Sequence, residues 1–489
     1  MIPVLHNRWK IQGRNLVYYG IRRKPYTLKN RIKLSKKDRD IIQSLDGKHS
    51  LEHYKKTRTI LQLISQGIII DAASQTALPE SFDDAVFCKK CIANDFMIPG
   101  IEFDENGLCP MCANEVHFRK YKSIIPSIKN IPRSRQSRFD VALFYTGGKD
   151  SSFLLYYLST KLKLRVLALT WMTPYMSDSA VQSIENAKRA LPNVTFMSKK
   201  IEPALLAPVY NKLYELQGNT CACPSLAYLL YLPVLVDKKI PYLVLGNEPV
   251  QMKNLLFNGM APPIAFIFAE NKWLHLLANI GRLFTFGKPL YRGQFQMLAT
   301  LSQLAYGDHP LKRLLGYQNT LLSNICTAIK ESPELLERFK LYLKRSRRSG
   351  SFPALVHIDL NEIAEANVYD WNSVKDLLQK EIGWVDTGSG HKSLHTSCKI
   401  ERCKDYSQLA GFRNMHSDVI PFSAIELSLA VGTGNVSREQ AMAELRTHSG
   451  FSLTPPVETE IMLKELPYKN ANPVSSYRGC SDKNTGEEK

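Results

Sequence analysis

Three apolar runs of strand length occur in the middle of the chain, with segments of helical periodicity between them. The runs are residues 140–145 (DVALFY), 165–171 (RVLALTW) and 241–246 (PYLVLG). Segments 152–162 and 179–191 repeat apolar residues at the spacing of one helix face. Buried strands that alternate with amphipathic helices are typical of an α/β fold with a doubly wound parallel sheet. A fourth apolar run, 354–360 (ALVHIDL), is expected to return to this sheet.

Changes in composition divide the chain into four predicted units. Residues 1–80 contain two short amphipathic helices and a short apolar strand, which together predict a winged-helix-like module. Residues 84–118 carry a cysteine cluster, and a basic linker separates them from the main domain, 138–450. Within that domain, residues 260–350 have apolar and basic helical patterns and are predicted to form a helical insertion. Residues 451–489 are predicted to be a tail.

The composition is that of a globular protein, since 44% of the 489 residues are hydrophobic and 22% are charged. The most apolar stretch, 226–236, is followed at once by Asp-Lys-Lys and falls short of the roughly 20 residues of a membrane-spanning helix. We therefore expect a cytoplasmic protein with no membrane span. The net charge of +19 fits nucleic acid, an anionic membrane surface, a phosphorylated substrate or simply a solvated basic surface. Nucleic acid is not the favoured partner.

The loop TGGKDSS connects the first apolar run to a helix, which is the setting of an anion site at a helix N-terminus. Adjacent glycines let the backbone turn sharply and aim several N–H groups at one anion. Hydroxyl groups add donors, a lysine adds a mobile positive charge, and an aspartate is a natural magnesium ligand. Lys149 and Asp150 are therefore predicted to be catalytic. The predicted phosphate-binding residues are Thr146, Gly147, Gly148, Ser151 and Ser152.

This loop resembles the pyrophosphate loop SGGKDS of the N-type ATP pyrophosphatases, which belong to the adenine nucleotide alpha hydrolase superfamily (the HUP fold). Thr146 replaces the first serine of the loop and keeps its hydroxyl. The resemblance implies that the loop binds the β and γ phosphates of ATP with Mg²⁺. A substrate oxygen would attack the α phosphate to give an adenylated intermediate and pyrophosphate, and ammonia or a sulfur species would then displace AMP.

The adenine is expected at the carboxyl ends of neighbouring strands, where open α/β sheets bind ligands. Thr170 and Trp171 end the second apolar run, Gly246 ends the third, and Asn247 follows directly. Glu248 and His395 are candidates for the group that deprotonates the nucleophile, with no ranking between them.

Two cysteine pairs precede the main domain. Cys88-x-x-Cys91 and Cys109-x-x-Cys112 have the spacing of two knuckles that hold tetrahedral Zn²⁺, and Pro-Gly and Asn-Gly turns lie between them. Four thiolates close the coordination shell, so a structural role is favoured over a catalytic one. A redox pair is the weaker alternative.

The segment FCKKCIANDFMIPGIEFDENGLCPMC resembles the N-terminal zinc segment of the N-acetyl sugar amidotransferases. Further similar segments are LALTW with the following proline, VLGNEP at 244–249 and SLAVGTGNVSREQAMAEL at 428–445. The resemblance implies an ATP-dependent amidotransferase that makes acetamidino groups on sugars of surface polysaccharides. It also implies a glutaminase subunit that supplies ammonia, since no glutaminase arrangement is evident in this chain.

Four further cysteines depart from that family's pattern. Cys221 and Cys223 precede an apolar helix, and Cys398 and Cys403 follow a Gly-Trp pair. They could converge on a second cluster, such as the iron–sulfur cluster of related pyrophosphatases that thiolate tRNA. Buried free thiols, a bound metal or cluster, and a thiol that carries sulfur remain open. The alternative function is therefore an ATP-dependent sulfurtransferase, with a sulfur donor as partner, that makes a thioamide or a thiolated RNA.

The N-terminal unit resembles the PqqD-like modules that bind leader peptides of ribosomally made, modified peptides. The resembling segments are RIKLSKKDRDIIQSLDGKHSLEHY and LQLISQGIII. This resemblance implies a peptide acceptor in place of a sugar. A non-catalytic scaffold that binds a nucleotide or a peptide is the least favoured function, because the Lys-Asp-Ser set of the loop is complete.

Overall fold

A computed structural model describes residues 1–21, 31–113, 130–247, 250–251, 272–307, 320–386, 397–417, 419–448 and 451–465. Its N-terminal part consists of short antiparallel strands and two helices. The elements are β1 (Pro3–Leu5), β2 (Trp9–Gln12), β3 (Asn15–Tyr18), β4 (Arg31–Lys33), α1 (Lys36–Ser44), α2 (Arg58–Ser65) and β5 (Ile69–Asp71). Strand β1 pairs with β5, and β2, β3 and β4 form a three-stranded sheet. Both helices and β5 lie where the apolar pattern predicted them, whereas β1 to β4 were not predicted.

Side chains cap both helices of this part. The amide of Asp38 donates to the Ser35 hydroxyl at 3.1 Å, and the amide of Ile60 donates to the Thr57 hydroxyl at 3.1 Å. Nine buried side chains, Trp9 and Ile60 among them, form an apolar cluster confined to this part of the chain. The winged-helix-like and PqqD-like assignments remain predictions.

The centre of the molecule is a five-stranded sheet in which all strands are parallel. Its strands are β6 (Val141–Phe144), β7 (Val166–Trp171), β8 (Thr195–Lys199), β9 (Tyr242–Asn247) and β10 (Ala354–Asp359). The order across the sheet is β8-β7-β6-β9-β10, so the chain winds outward from β6 in both directions. The sequence predicted four of these strands, and β8 was missed.

One short helix precedes the sheet, and the other helices lie between and after its strands. They are α3 (Pro110–Ala113), α4 (Lys149–Tyr156), α5 (Asp178–Ala190), α6 (Pro203–Gln217), α7 (Cys223–Asp237), α8 (Lys272–Phe284), α9 (Arg292–Tyr306), α10 (Thr320–Ala328), α11 (Pro333–Ser349), α12 (Leu360–Ile363), α13 (Trp371–Ile382), α14 (Glu401–Arg413), α15 (Phe422–Thr433), α16 (Arg438–His448) and α17 (Glu458–Glu465). None of the described helices is long and apolar enough to cross a membrane.

Alternate residues of the strands enter two apolar clusters, one on each face of the sheet. Val141 and Leu143 enter the cluster that α4, α5 and α13 cover, while Ala142 and Leu243 enter the cluster that α6, α7, α9 and α11 cover. Strands buried on both faces are typical of parallel sheets and explain the nearly continuous apolar runs in the sequence. The predicted helical insertion thus contributes helices α9, α10 and α11 to the apolar cluster on one face.

The first part of the predicted tail packs against the main domain. Phe451 and Met462 are fully buried, and the Glu458 carboxylate lies 3.4 Å from the Arg402 guanidinium. Residues 466–489 lie outside the described part of the chain.

Candidate functional site

The predicted phosphate loop lies at the carboxyl edge of the sheet. Strand β6 ends at Phe144, and α4 follows directly after its N-cap residue, Gly148. The order of the strands reverses between β6 and β9. Open α/β sheets bind ligands at such a switch point, because loops from the two halves diverge and leave a crevice.

The two glycines shape this loop. Gly147 has a φ of +74°, and a Cβ atom there would lie 2.4 Å from the carbonyl oxygen of Ala180, so the turn requires glycine. No side chain caps α4 at Gly148, which leaves the first N–H groups of the helix without a capping side chain. The Trp384 indole donates to the Gly147 carbonyl at 3.0 Å and holds the turn in place. This helix N-terminus is suited to an anion.

The three hydroxyl residues of the loop have different surroundings. Thr146 is exposed, and its hydroxyl accepts a hydrogen bond from the Gly148 amide at 3.3 Å. The Ser151 hydroxyl lies 3.2 Å from that of Thr146 and donates to the Gly148 carbonyl at 3.0 Å. Ser152 is fully buried, and its hydroxyl donates to the Tyr145 hydroxyl at 3.4 Å. Thr146 and Ser151 therefore lie on the accessible side of the loop, while Ser152 is buried in the core.

Lys149 is enclosed rather than extended into solvent. Its side chain is 8% exposed, and its ammonium lies 3.1 Å from Asp150 Oδ1. The same ammonium lies 4.5 Å from the ring centroids of both Tyr369 and Trp371. A carboxylate and two aromatic faces thus compensate for the loss of water around this cation.

Asp150 is held by residues from remote parts of the chain. The Tyr369 hydroxyl donates to Oδ1 at 2.7 Å, and Gln251 donates to Oδ2 at 3.2 Å. Gln251 also donates to the buried carboxylate of Glu426 at 3.3 Å. The sequence did not predict Tyr369, Trp371, Gln251 or Glu426 as site residues, because no local spacing connects them with the loop. The Asp150 side chain is 24% exposed and can offer carboxylate oxygens to a cation.

The predicted adenine-binding residues lie at the same edge of the sheet. Thr170 is buried and its hydroxyl donates to the Tyr145 carbonyl at 2.8 Å, so the side chain faces the neighbouring strand. Trp171 is also buried, and its indole nitrogen has no partner among the described residues. Gly246 packs against α4, since a Cβ atom there would lie 3.1 Å from Leu154. Asn247 ends β9, but its side chain lies outside the described part, as do Glu248 and His395.

The four cysteines of the two knuckles converge. The sulfur atoms of Cys88, Cys91, Cys109 and Cys112 all lie within 4.8 Å of one another. Those of Cys91 and Cys109 are 3.7 Å apart. A tetrahedral zinc ion with bonds of about 2.3 Å requires its sulfur ligands to lie roughly 3.8 Å apart, so this cluster could bind a metal such as zinc.

Backbone groups support the knuckle sulfurs from outside. The amide of Ala93 donates to Cys91 Sγ at 3.4 Å, and the amide of Cys109 donates to Cys88 Sγ at 3.3 Å. Hydrogen bonds from the neighbouring thiols lower the pKa of Cys88, because they stabilise its thiolate. Arg438 of α16 donates to the carbonyl groups of Cys88 at 3.1 Å and Cys91 at 3.2 Å, so the main domain anchors the first knuckle.

The second set of cysteines converges only in part. Cys221 precedes α7, Cys223 begins it, and Cys398 pairs through an antiparallel bridge with Met176 in the loop after β7. Burial and then the charges of Cys221 and Cys398 raise the pKa of Cys223, so these three thiols lie within electrostatic reach of one another. Cys403 instead accepts a hydrogen bond from the Thr459 hydroxyl at 3.5 Å. Within the described ranges, only the knuckle sulfurs meet the distances of a metal site.

Lys404 lies within electrostatic reach both of the thiol of Cys221 and of Glu426, which belongs to the hydrogen-bond network around Asp150. Burial opposes its charge, but the negative charges of Cys221, Glu401, Asp405 and Glu426 together raise its pKa. Glu426 is the carboxylate that shares Gln251 with Asp150. The thiols therefore lie in electrostatic reach of the network that orients the loop carboxylate.

Fold and site together define a mixed α/β protein. Its five-stranded parallel sheet, flanked by helices, is compatible with a Rossmann-like core, and a four-cysteine cluster precedes that core. No model of a known protein family matches the chain, and a search of curated proteins also returned no match.

Proposed function

We propose that the chain is an ATP pyrophosphatase-type amidotransferase. It binds ATP and Mg²⁺ at residues 146–152 and cleaves ATP between the α and β phosphates. An amide or carboxyl oxygen of the acceptor attacks the α phosphorus, pyrophosphate leaves, and ammonia then displaces AMP from the activated carbon. The acceptor is a sugar of the kind found in surface polysaccharides, or a peptide, and a glutaminase subunit supplies the ammonia. One observation carries the proposal: the glycine turn and uncapped start of α4 lie at the sheet's switch point beside Lys149 and Asp150.

The residues of the loop have distinct roles in this proposal. Backbone N–H groups at the start of α4 and the hydroxyls of Thr146 and Ser151 stabilise the charge that develops on the leaving pyrophosphate. Lys149 adds a fixed positive charge, since Asp150 and two rings restrict its movement. Mg²⁺ would be held by the Asp150 carboxylate and would neutralise phosphate charge. Tyr369 and Gln251 act as positioning residues, because they orient that carboxylate.

The four-cysteine cluster has a structural role in this proposal. We assign it one zinc ion, held by Cys88, Cys91, Cys109 and Cys112. All four coordination positions are filled by thiolates, so the ion stabilises the segment before the sheet and takes no part in ATP cleavage.

Pyrophosphate release from ATP tests the proposal. The full chain is incubated with ATP, Mg²⁺, an ammonium salt and candidate acceptors, and an adenylated acceptor is sought by mass spectrometry. Gly148→Asp, which places a carboxylate at the anion site, and Lys149→Ala are expected to slow pyrophosphate release by about 100-fold or more. Lys161→Ala is the matched control, because Lys161 also lies over an aromatic ring but is exposed and remote from the loop. Full activity in Gly148→Asp would refute the assignment of the loop.

A second candidate function is ATP-dependent sulfur transfer to a thioamide or an RNA. The observation that favours it is that Cys221, Cys223 and Cys398 lie within electrostatic reach of one another, and Cys221 within that of Lys404. In this version a sulfur species displaces AMP, with an iron–sulfur cluster as one form of the cysteine site. Visible absorption of the anaerobically purified protein, with thiolated product that is lost in Cys221→Ser and Cys398→Ser, would favour sulfur transfer. Colourless protein that forms an aminated product in both variants would favour ammonia.

A further inference from the structure

Helix α8 is attached to the rest of the molecule through its polar residues. Asn279 donates to the Leu290 carbonyl at 3.0 Å and accepts from the Leu290 amide at 2.8 Å. Arg282 donates to the carbonyl groups of Lys288 at 2.9 Å and Arg347 at 2.7 Å. In an ordinary surface helix the apolar stripe faces the protein and the polar residues face water. Helix α8 has the opposite orientation.

The apolar residues of α8 consequently face outward. Leu277 is 61% exposed and Phe284 is 82% exposed. The exposed large apolar side chains of the helix include Leu276, Leu277, Ile280, Leu283 and Phe284, which lie on one face of it. Elsewhere in the described residues, exposed side chains of this kind occur singly or in pairs. A continuous patch of this type on a folded protein indicates an interaction surface.

The turn after α8 adds a strained aromatic residue to the patch. Phe286 has a φ of +57°, which is unfavourable for a residue with a bulky side chain, and it is 93% exposed. The amide of Gly287 closes this turn on the Arg282 carbonyl at 2.8 Å. The backbone therefore holds a phenyl ring in solvent at a cost, and strain of this kind is retained where it serves a function.

Within the described residues of α8, of the turn after it and of the end of α11, all charged side chains are basic. Residues 272–307 contain no aspartate or glutamate, and neither do residues 338–358. The end of α11, whose Arg347 carbonyl binds Arg282, adds further exposed cations. The exposed basic residues are Lys272, Lys288, Lys344, Arg345, Arg347 and Arg348. Aromatic and aliphatic side chains next to these basic residues complement an anionic lipid surface, which has negative headgroups above an apolar layer.

We propose that α8 and the turn after it bind the protein to the surface of an anionic phospholipid membrane. The helix lies in the plane of the interface, with Leu277, Phe284 and Phe286 among the acyl chains and the basic residues at the headgroups. This inference goes beyond ATP cleavage, and each can fail without the other.

Flotation of the full chain with vesicles tests this proposal. The vesicles consist of phosphatidylcholine with about 30% phosphatidylglycerol, and phosphatidylcholine alone serves for comparison. We expect binding to the anionic vesicles that weakens as salt is added, because salt screens the headgroup charge. Leu277→Ser with Phe284→Ser should reduce the partition coefficient by about tenfold or more, because two large apolar groups no longer enter the lipid. Arg345→Glu with Arg348→Glu should weaken binding to the anionic vesicles only.

Leu61→Ser is the matched control for Leu277→Ser. Leu61 is also a largely exposed leucine on a helix, but it lies on α2, away from the patch. Vesicle binding equal to the wild type is expected for this variant, and pyrophosphate release in solution should be unchanged in all of these variants. Failure of the wild type to float with anionic vesicles would overturn the proposal. Dimers that dissociate in the Leu277→Ser, Phe284→Ser variant, without vesicle binding by the wild type, would assign the face to a second copy of the chain instead.

Discussion

The chain has two groups of cysteines, and they differ in the way the fold assembles them. The knuckle cysteines come from one segment, 88–112, and their four sulfur atoms lie within 4.8 Å of one another. The second group comes from two segments about 180 residues apart in sequence, 221–223 at the start of α7 and 398–403 at the start of α14. Three of its thiols lie within electrostatic reach of one another, while Cys403 faces Thr459. A short segment can determine a metal site by itself. The distances among the cysteines of the second group depend instead on how the chain segments between the strands of the sheet are placed.

The two groups also differ in their electrostatic surroundings. Two backbone amides donate to the knuckle sulfurs, an arrangement that favours thiolates and suits a closed metal site. The second group has Lys404, whose own pKa is raised by Cys221 and nearby carboxylates despite its burial. Burial, followed by Glu401, raises the pKa of Cys398 to about 12. The knuckle is thus suited to a structural metal ion, while in the second group burial raises the pKa of Cys223 and Cys398 and the charge of Lys404 opposes that shift.

Of the variants that compare the two groups of cysteines, loss of a knuckle ligand should have the largest effect on metal content and stability. Cys109→Ser is expected to abolish binding of the zinc ion and to lower the free energy of unfolding by about 3 kcal/mol or more, because metal binding contributes directly to folding. Metal analysis and denaturant unfolding measure both effects. Cys326→Ser is the control, since Cys326 is a buried cysteine outside both groups. Zinc retained at one ion per chain in Cys109→Ser would show that the four sulfurs do not form the site.

The next largest effect on stability should come from removing the contact between the knuckle and the main domain. Arg438→Met removes two hydrogen bonds to the carbonyl groups of Cys88 and Cys91, and should lower the free energy of unfolding by about 2 kcal/mol. Arg446→Met on the same helix is the control, because Arg446 is exposed. Equal unfolding curves for the two variants would mean that the knuckle is self-sufficient, as its short sequence suggests.

The same contrast, between contacts that are close in the sequence and contacts that are distant in it, explains what the sequence could predict. The knuckle and the phosphate loop each lie within a few residues of the chain, and the glycine turn, the strand and the helix N-terminus have local signals. Tyr369, Gln251 and Glu426 meet Asp150 only after the crossovers have formed. No pattern of residue spacing in the sequence predicts these contacts. The convergence of the four later cysteines on one cluster stays a prediction of the same long-range kind, and in the fold Cys403 accepts a hydrogen bond from Thr459.

Strand β8 and the N-terminal strands were missed for another reason. Thr195–Lys199 lies at the edge of the sheet and none of its residues is fully buried, so it lacks the apolar run that identified β6 and β7. Strands β2 and β3 have four residues each, too short for a clear alternation of apolar and polar side chains. The polar start of the chain therefore gave no signal for the antiparallel sheet.

Stability measurements can test the separation of Cys403 from the other three thiols. Cys403 is 1% exposed and accepts a hydrogen bond from Thr459, so Cys403→Ala should lower the free energy of unfolding by about 1–2 kcal/mol. Cys221 is half-buried, and Cys221→Ala should change the free energy of unfolding by about 0.5 kcal/mol or less. Denaturant unfolding compares the two variants. Equal decreases in the free energy of unfolding for the two variants would show that Cys403 and Cys221 have the same environment.

The charge of Lys404 should have the smallest effect, on the alkylation rate of Cys398. Only the thiolate reacts, and a pKa of about 12 means that the rate should rise about tenfold per pH unit between pH 7 and 10 without a plateau. The positive charge of Lys404 lowers the pKa of Cys398, so Lys404→Gln should raise that pKa and slow alkylation at every pH, by a factor of about two to five. Mass spectrometry of the Cys398 peptide after timed iodoacetamide treatment measures both. A plateau near pH 9 would show that Cys398 has the pKa of an ordinary thiol. An unchanged alkylation rate in Lys404→Gln would show that the charge of Lys404 does not lower the pKa of Cys398.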